Sequence, residues 1–312
     1  MRRCLSTALS WLCWLLLAGA SQSYAASVLI LSSERSPSFS EASDSLISEL
    51  ERGGIARADI VQMTASEWVT TDIGSIGTPK LVITLGTEAL RQGLSREVKA
   101  PFLAALLPRA GFDRVLKDIN RRSGFAVSGV FLDQPFVRQL ELLRLALPDA
   151  KRIGVLWGAD TGRTQALFQS AVQGRGLSVE SGHVVEASAL FPALKQVLDQ
   201  SDVLLAVADG QIFNSGTISN ILLATYRARI PVMAFSPAYV RAGALLSLHT
   251  TAAQTGLQAG GMARQMMQGA NPGLQYPSEF QVTVNDHVAR SLGLTLDGAQ
   301  LTDRLRSLGK RP

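Results

Sequence analysis

The stretch closest to nucleotide chemistry is Gly154 to Thr164, GVLWGADTGRT. An apolar run, Ile153 to Trp157, meets a turn with two glycines, an Asp and an Arg-Thr pair. A Walker-type phosphate cradle needs four residues between its glycines, then Lys, then Ser or Thr. Here Gly158 and Gly162 enclose Ala159, Asp160 and Thr161, and Arg163 stands where the lysine belongs. The contact to the outer phosphates is missing, so a nucleotide loop is excluded.

Other chemistries are equally thin. No GxGxxG fingerprint and no GxSxG elbow occurs. His183, His249 and His287 are isolated from one another and from clustered carboxylates, and no pair has metal-ligand spacing. We therefore expect no catalytic residue, no metal and no cofactor. What remains is a set of polar or small residues just after apolar runs: Ser32, Ser33, Gly86, Thr87, Asp133, Trp157, Asp209 and Ser236. In open α/β sheets, ligands sit outside the carboxyl ends of the strands, where helix N-termini offer free N–H groups. Taken singly, each residue suits a turn or cap equally well. Trp157 could stack on a ligand or belong to the core. Asp209 and Asn214, in VADGQIFNS, could bind an amine or hydroxyl, or serve loop and cap chemistry.

These residues are expected to be positioned by alternating strands and helices. Apolar runs at 27–31, 80–86, 101–106, 127–132, 152–157, 202–208, 231–235 and 244–248 have the length and composition of strands buried on both faces. A weaker candidate lies at 58–63. Helical patterns fall near 41–52, 87–95, 111–122, 135–147, 163–174, 189–199, 215–228 and 252–268. Within 135–147, Phe136, Leu140, Leu143 and Leu147 recur at helical spacing, and Asp133 or Gln134 could cap the start. The alternation predicts an α/β fold with doubly wound sheets. The 312-residue chain is long enough for two such lobes with a cleft between them.

The N-terminus reads as an export signal. Arg2 and Arg3 precede an apolar core from Leu12 to Ala18, Ser23-Tyr24-Ala25 puts small residues at the peptidase positions, and no acid appears before Glu34. Cleavage is expected after Ala25, leaving a soluble periplasmic protein. Both cysteines, Cys4 and Cys13, fall in that segment, so the mature chain has no disulfide framework. Residues 1–25 carry two arginines and no acid, so removing them lowers the net charge of +5 by two. With no basic run interleaved with aromatics, nucleic acid is not an expected partner. Residues 306–312 read as a basic, solvated tail.

Several stretches resemble ABC-transporter substrate-binding proteins of the type I periplasmic-binding fold, the group that includes tryptophan- and tyrosine-type components. They are FLDQPFVRQLELLRLALPDAKRIGVLW (131–157), IPVMAFSPAYVRAGALLSL (230–248), GLQAGGMARQMMQGANP (256–272) and FQVTVNDHVARSLGLTL (280–296). The resemblance spans most of 125–296. It implies two Rossmann-like lobes joined by three hinge crossings, near 124, 240 and 276. The N-terminal lobe would comprise 26–123 plus about 241–275, and the C-terminal lobe 124–240 plus about 276–305. Carried over by position, the binding residues would lie near Ser33, Thr87, Asp133, Trp157, Asp209 and Ser236. Two loops depart from the family pattern, LLPRAGF (106–112) and DGQIFNS (209–215). The first puts Arg109 at about the pocket, where it could favour an anionic solute by bidentate pairing or simply be solvated. The expected protein is a monomeric, non-enzymatic binder of a small amino-acid-like or anionic solute, delivering it to an inner-membrane permease. A ligand sensor docking on a periplasmic signalling domain is the alternative, and an exported enzyme is the third reading.

Overall fold

The computed structural model describes residues 27–119 and 127–309. The export signal, Cys4 and Cys13, the crossover expected near 124 and the last three residues of the basic tail lie outside the described residues.

The first sheet contains β1 (Val28–Ser32), β2 (Ile60–Thr64), β3 (Leu81–Leu85), β4 (Phe102–Leu107), β5 (Val127–Phe131) and β11 (Leu274–Gln275). Its spatial order is β11-β5-β4-β3-β1-β2, with every neighbouring pair parallel. The second contains β6 (Arg152–Trp157), β7 (Ser178–His183), β8 (Val203–Leu205), β9 (Val232–Ala234), β10 (Leu246–His249) and β12 (Gln281–Val284). Its order is β12-β10-β9-β8-β6-β7, and only β12 runs antiparallel.

Parallel strands need crossover helices, which cover both faces of a sheet and make both apolar. The burial follows that rule. In the first sheet, Leu29, Leu31, Val82 and Phe102 belong to one core and Val28, Ile30, Ile83 and Leu103 to another. In the second, Ile153, Val155 and Trp157 face one core and Leu156 the other.

In chain order the helices are α1 (Pro37–Arg52), α2 (Ala65–Thr70), α3 (Ile73–Ile76), α4 (Thr87–Ser95), α5 (Arg109–Ile119), α6 (Phe136–Ala146), α7 (Gln165–Val172), α8 (Leu190–Leu198), α9 (Ile218–Ala228), α10 (Pro237–Ala242), α11 (Ala252–Met267), α12 (Asp286–Ser291) and α13 (Gly298–Gly309). The edge strand β7 was missed in the sequence. Its SVESGH buries only Gly182 fully, so it carries no apolar run.

Two lobe boundaries need correction. Residues 127–131 were expected to open the second lobe, yet β5 pairs with β4 and β11 in the first sheet. The chain passes to the second lobe through Leu132–Pro135. The return was expected near 240, yet α10 and β10 stay with the second sheet. That crossing is at Thr250–Thr251, after which α11 packs along α1 and against β4 of the first lobe. Apolar runs identify strands, but they carry no label for which of two similar sheets they join. The third passage runs between β11 and β12, from Tyr276 to Phe280.

Helix α11 docks very closely on α1. A Cβ on Gly256 would overlap the carbonyl oxygen of Ala42, and one on Gly260 would meet the Glu49 side chain. Thr251 starts the helix with a capping box completed by Gln254, so the chain turns from crossing to helix within one residue.

Candidate functional site

A cavity of about 700 Å³ opens between the lobes, within the range of roughly 300–1,000 Å³ usual for small-molecule sites. The first lobe contributes the start of α1 and the β4–α5 loop, and the second the loops after β6, β8 and β9. The crossings at 132–135 and 250–251, with Tyr276, close the side where the chain passes between the lobes.

Of the sequence candidates, Arg109, Asp133 and Ser236 line this cavity. Asp133 follows β5 and accepts the backbone N–H of Arg109 through Oδ2 at 2.6 Å, so it caps α5 from the neighbouring strand end. Burial pushes its carboxyl above the ordinary range, against the opposing pull of that hydrogen bond. Arg109 lies 3.7 Å from Asp113 and stacks over the Phe131 ring at 5.5 Å, with its side chain 36% exposed. Ser236 caps α10 by accepting the Ala238 N–H.

The remaining candidates do not line the cavity. Ser33 Oγ donates to the Leu85 carbonyl and accepts the Ala89 N–H. It thereby caps α4 in place of Gly86, which has no side chain to do so. Gly86 sits at φ +88°, and a Cβ there would overlap Ser33 Oγ. Thr87 fills the space beside Gly111, and Ser32 ends β1. These residues build the strand end rather than face the cleft.

Trp157 is a correction. It is 1% exposed, stacks edge-on against Phe168 and donates its indole N–H to Ser181 Oγ. The strand alternation explains this, since Trp157 shares its face with Ile153 and Val155. Asp209 is 2% exposed and braces a loop. Its Oδ2 accepts from Thr161 Oγ1 at 2.9 Å, and its Oδ1 accepts the Gln211 N–H. Asn214 bonds within its own loop, to Gly210 and Gly216. The glycine-rich turn GADTGRT does reach the cavity, but through Thr161 and Thr164 rather than Trp157 and Gly158.

Sequence reasoning missed the apolar wall of Phe39, Leu106, Phe136, Phe235 and Tyr276. Leu106 carried a usable signal, as the last apolar residue but one before Pro108. The β4–β5 register shifts between Ala104 and Leu107, a bulge that returns Leu107 to the core of Phe102 and Ala104. Leu106 is thereby turned out to the cavity with φ +58°, a left-handed conformation costly for this residue. Also missed were His249, Arg241, Gln139 and Gln134. Burial lowers the pKa of His249, favouring neutral imidazole. Arg109, Arg241, Glu41 and Asp133 all line the cavity, so its wall carries ionisable groups of both signs.

Gln134, expected as a possible cap for α6, makes no such bond, and Pro135 occupies that place. Its Oε1 instead accepts from Arg138 Nη1 at 2.7 Å. The same nitrogen reaches the Pro277 carbonyl at 2.8 Å, tying the first crossing to the third. Among the described residues, no group of three or more His, Cys, Asp or Glu is placed to hold a metal ion.

The model of the ABC transporter substrate binding protein family matches residues 51–303. The chain belongs to this family. Its members are substrate-binding proteins of ABC transporters, a non-enzymatic role. Solved structures share the two-lobe fold. A ligand-free, open substrate-binding protein with adhesive properties from Clostridium difficile has a TM-score of 0.65 at 17% identity, covering 86% of this chain and 95% of its own. A conserved domain protein from Vibrio cholerae O1 biovar El Tor has 0.62 at 19%, covering 89% and 97%. An ABC domain from Streptococcus pneumoniae in complex with L-Trp has 0.60 at 22%, covering 86% and 96%. A search of curated proteins returned no match. Among the described residues, no helix is long and apolar enough to cross a membrane.

Proposed function

We propose that this substrate-binding protein works in the periplasm, closing its lobes on a small solute with a polar head and an apolar body and passing it to an ABC-type permease. The observation that carries the reading is the cavity itself. It lies at the carboxyl ends of strands in both lobes, beside all three crossings, where hinge motion opens and closes it. Its wall pairs an apolar surface with ionisable groups of both signs, which suits an amino-acid-like or anionic solute better than a sugar. Asp133 offers an acceptor for an amine, Arg109 a donor fork for a carboxylate, and Phe136 and Phe235 a surface for the body. The export signal read at residues 1–25 supports the compartment.

The test is a thermal-shift panel of amino acids, amino-acid amides, dicarboxylates, sugars and purines on protein lacking residues 1–25. A ligand at about 100 times its Kd adds about 2.7 kcal/mol, and the expected hit is an amino or organic acid. A panel in which only sugars or purines shift the melt overturns the solute class. A panel with no hit at all overturns the solute-binding reading itself.

A further inference from the structure

We propose that Gln134 is a solute-recognising residue on the hinge side of the cleft, donating from Nε2 to an oxygen acceptor of the ligand, a carboxylate or an amide carbonyl. This rests on the binding reading above. Gln134 is 5% exposed and lines the cavity. Its orientation is set by its neighbours. Arg138 carries donors only, so the amide oxygen must turn toward that guanidinium and the NH₂ group away from it. The residue is held a second time where its backbone carbonyl accepts Gln139 Nε2 at 2.7 Å. Nε2 is then left buried with no acceptor among the described residues.

Buried amide donors are almost always paired, and leaving one unpaired is costly. The other such atom among the described residues, Thr84 Oγ1, does not line the cavity. Gln134 thus has the form of a recognition group: fixed by two bonds, closed off from solvent, and missing one partner that a bound oxygen would supply once movement at this crossing opens Nε2 to the cavity. Asp133, the adjacent residue, is an acceptor on the same wall, so the pair can read a donor and an acceptor on one ligand head. Arg138 also bonds to Pro277 and stacks over Phe280 at 4.5 Å. A ligand seated on Gln134 therefore touches a group that joins two of the crossings.

The test compares wild type with Gln134→Glu, which retains an acceptor for Arg138 and loses the donor. Both proteins are titrated calorimetrically with the solute panel above, and both are melted without ligand. The expected result is a ligand-free melt at or above the wild-type midpoint and an affinity at least about tenfold weaker for the solute that wild type binds. Acids paired with their amides then tell a carboxylate from a carbonyl. If Gln134→Glu fails to fold, Gln134→Met, similar in volume and lacking the donor, carries the same comparison. A wild type and variant that bind the same solute equally well overturn the role of Gln134 alone. So does a variant whose affinity falls only in step with a lowered ligand-free melt. A wild type that binds no member of the panel overturns the binding reading and this inference with it.

Discussion

Arg114, on α5 of the first lobe, pairs with Asp160, in the loop after β6 of the second, with Nη2 2.6 Å from Oδ2. This contact joins a helix of one lobe to a loop of the other, so any parting of the lobes would break it. It is a half-exposed pair, with side chains 52% and 18% exposed. Such pairs contribute about 0.2–1 kcal/mol and are screened by salt. We expect Arg114→Ala to weaken ligand affinity about two- to fivefold and to enlarge the ligand-free radius of gyration in X-ray scattering. Added salt should produce the same expansion in wild type. An unchanged radius and affinity would mean that the pair does not bias closure.

Trp157 gives the opposite kind of prediction. Its indole is inside the second lobe, against Phe168 and Ser181, and not on the cavity wall. Trp157→Phe should therefore lower stability, by about 1–3 kcal/mol for the lost ring volume and N–H bond. Ligand affinity in calorimetry should remain within about twofold of wild type. A tenfold loss of affinity in a protein still folded at the assay temperature would return Trp157 to the binding surface.

The contrast between Trp157 and Asp133 shows how far the sequence could be read. Strand and helix positions were legible because a parallel sheet covered on both faces demands continuous apolar runs, and Leu81–Leu85 or Phe102–Leu107 can be little else. The positions of the strand ends were legible for the same reason. Which strand-end residues face the cleft was not. Ser33, Gly86 and Thr87 satisfy helix starts, and Asp209 braces Thr161, tasks that require the neighbouring strand to be known. Alternation along β6 did carry a signal for Trp157, two residues beyond Val155 on the same face. No local signal marked Leu132–Pro135 and Thr250–Thr251 as crossings, because membership of a sheet is decided by long-range pairing.

The α1–α11 contact predicts a stability defect remote from the cleft. Gly256→Ala places a methyl group into the carbonyl oxygen of Ala42, and backbone cannot yield as a flexible side chain can. Overpacking of this kind costs about 1–3 kcal/mol. In a chain of this size that lowers the melting midpoint by roughly 2–4 °C per kcal/mol. Gly261, with nothing within 4 Å of its Cβ position, is the control. Gly261→Ala should leave the midpoint unchanged or raise it, since alanine favours helix. Equal behaviour of the two variants in thermal melts would refute the close approach.

Asp133 predicts a pH dependence whose sign can be worked out. Burial raises its folded-state pKa above the unfolded value. Between those two values the folded protein holds a proton that the unfolded chain has released. Stability therefore falls as pH rises through the folded pKa, and it is fully present only below the unfolded pKa. Asn at this position can still accept the Arg109 N–H but carries no charge to bury. Asp133→Asn should therefore gain in denaturant midpoint over wild type as pH rises from about 4 to about 8, starting from a smaller difference at the acidic end. An amine-bearing ligand should bind the variant at least about tenfold more weakly at neutral pH, because the charge that would pair with the amine is gone. Parallel pH–stability curves for the two proteins would show that Asp133 is already ionised at no cost, with solvent reaching it at the cleft wall.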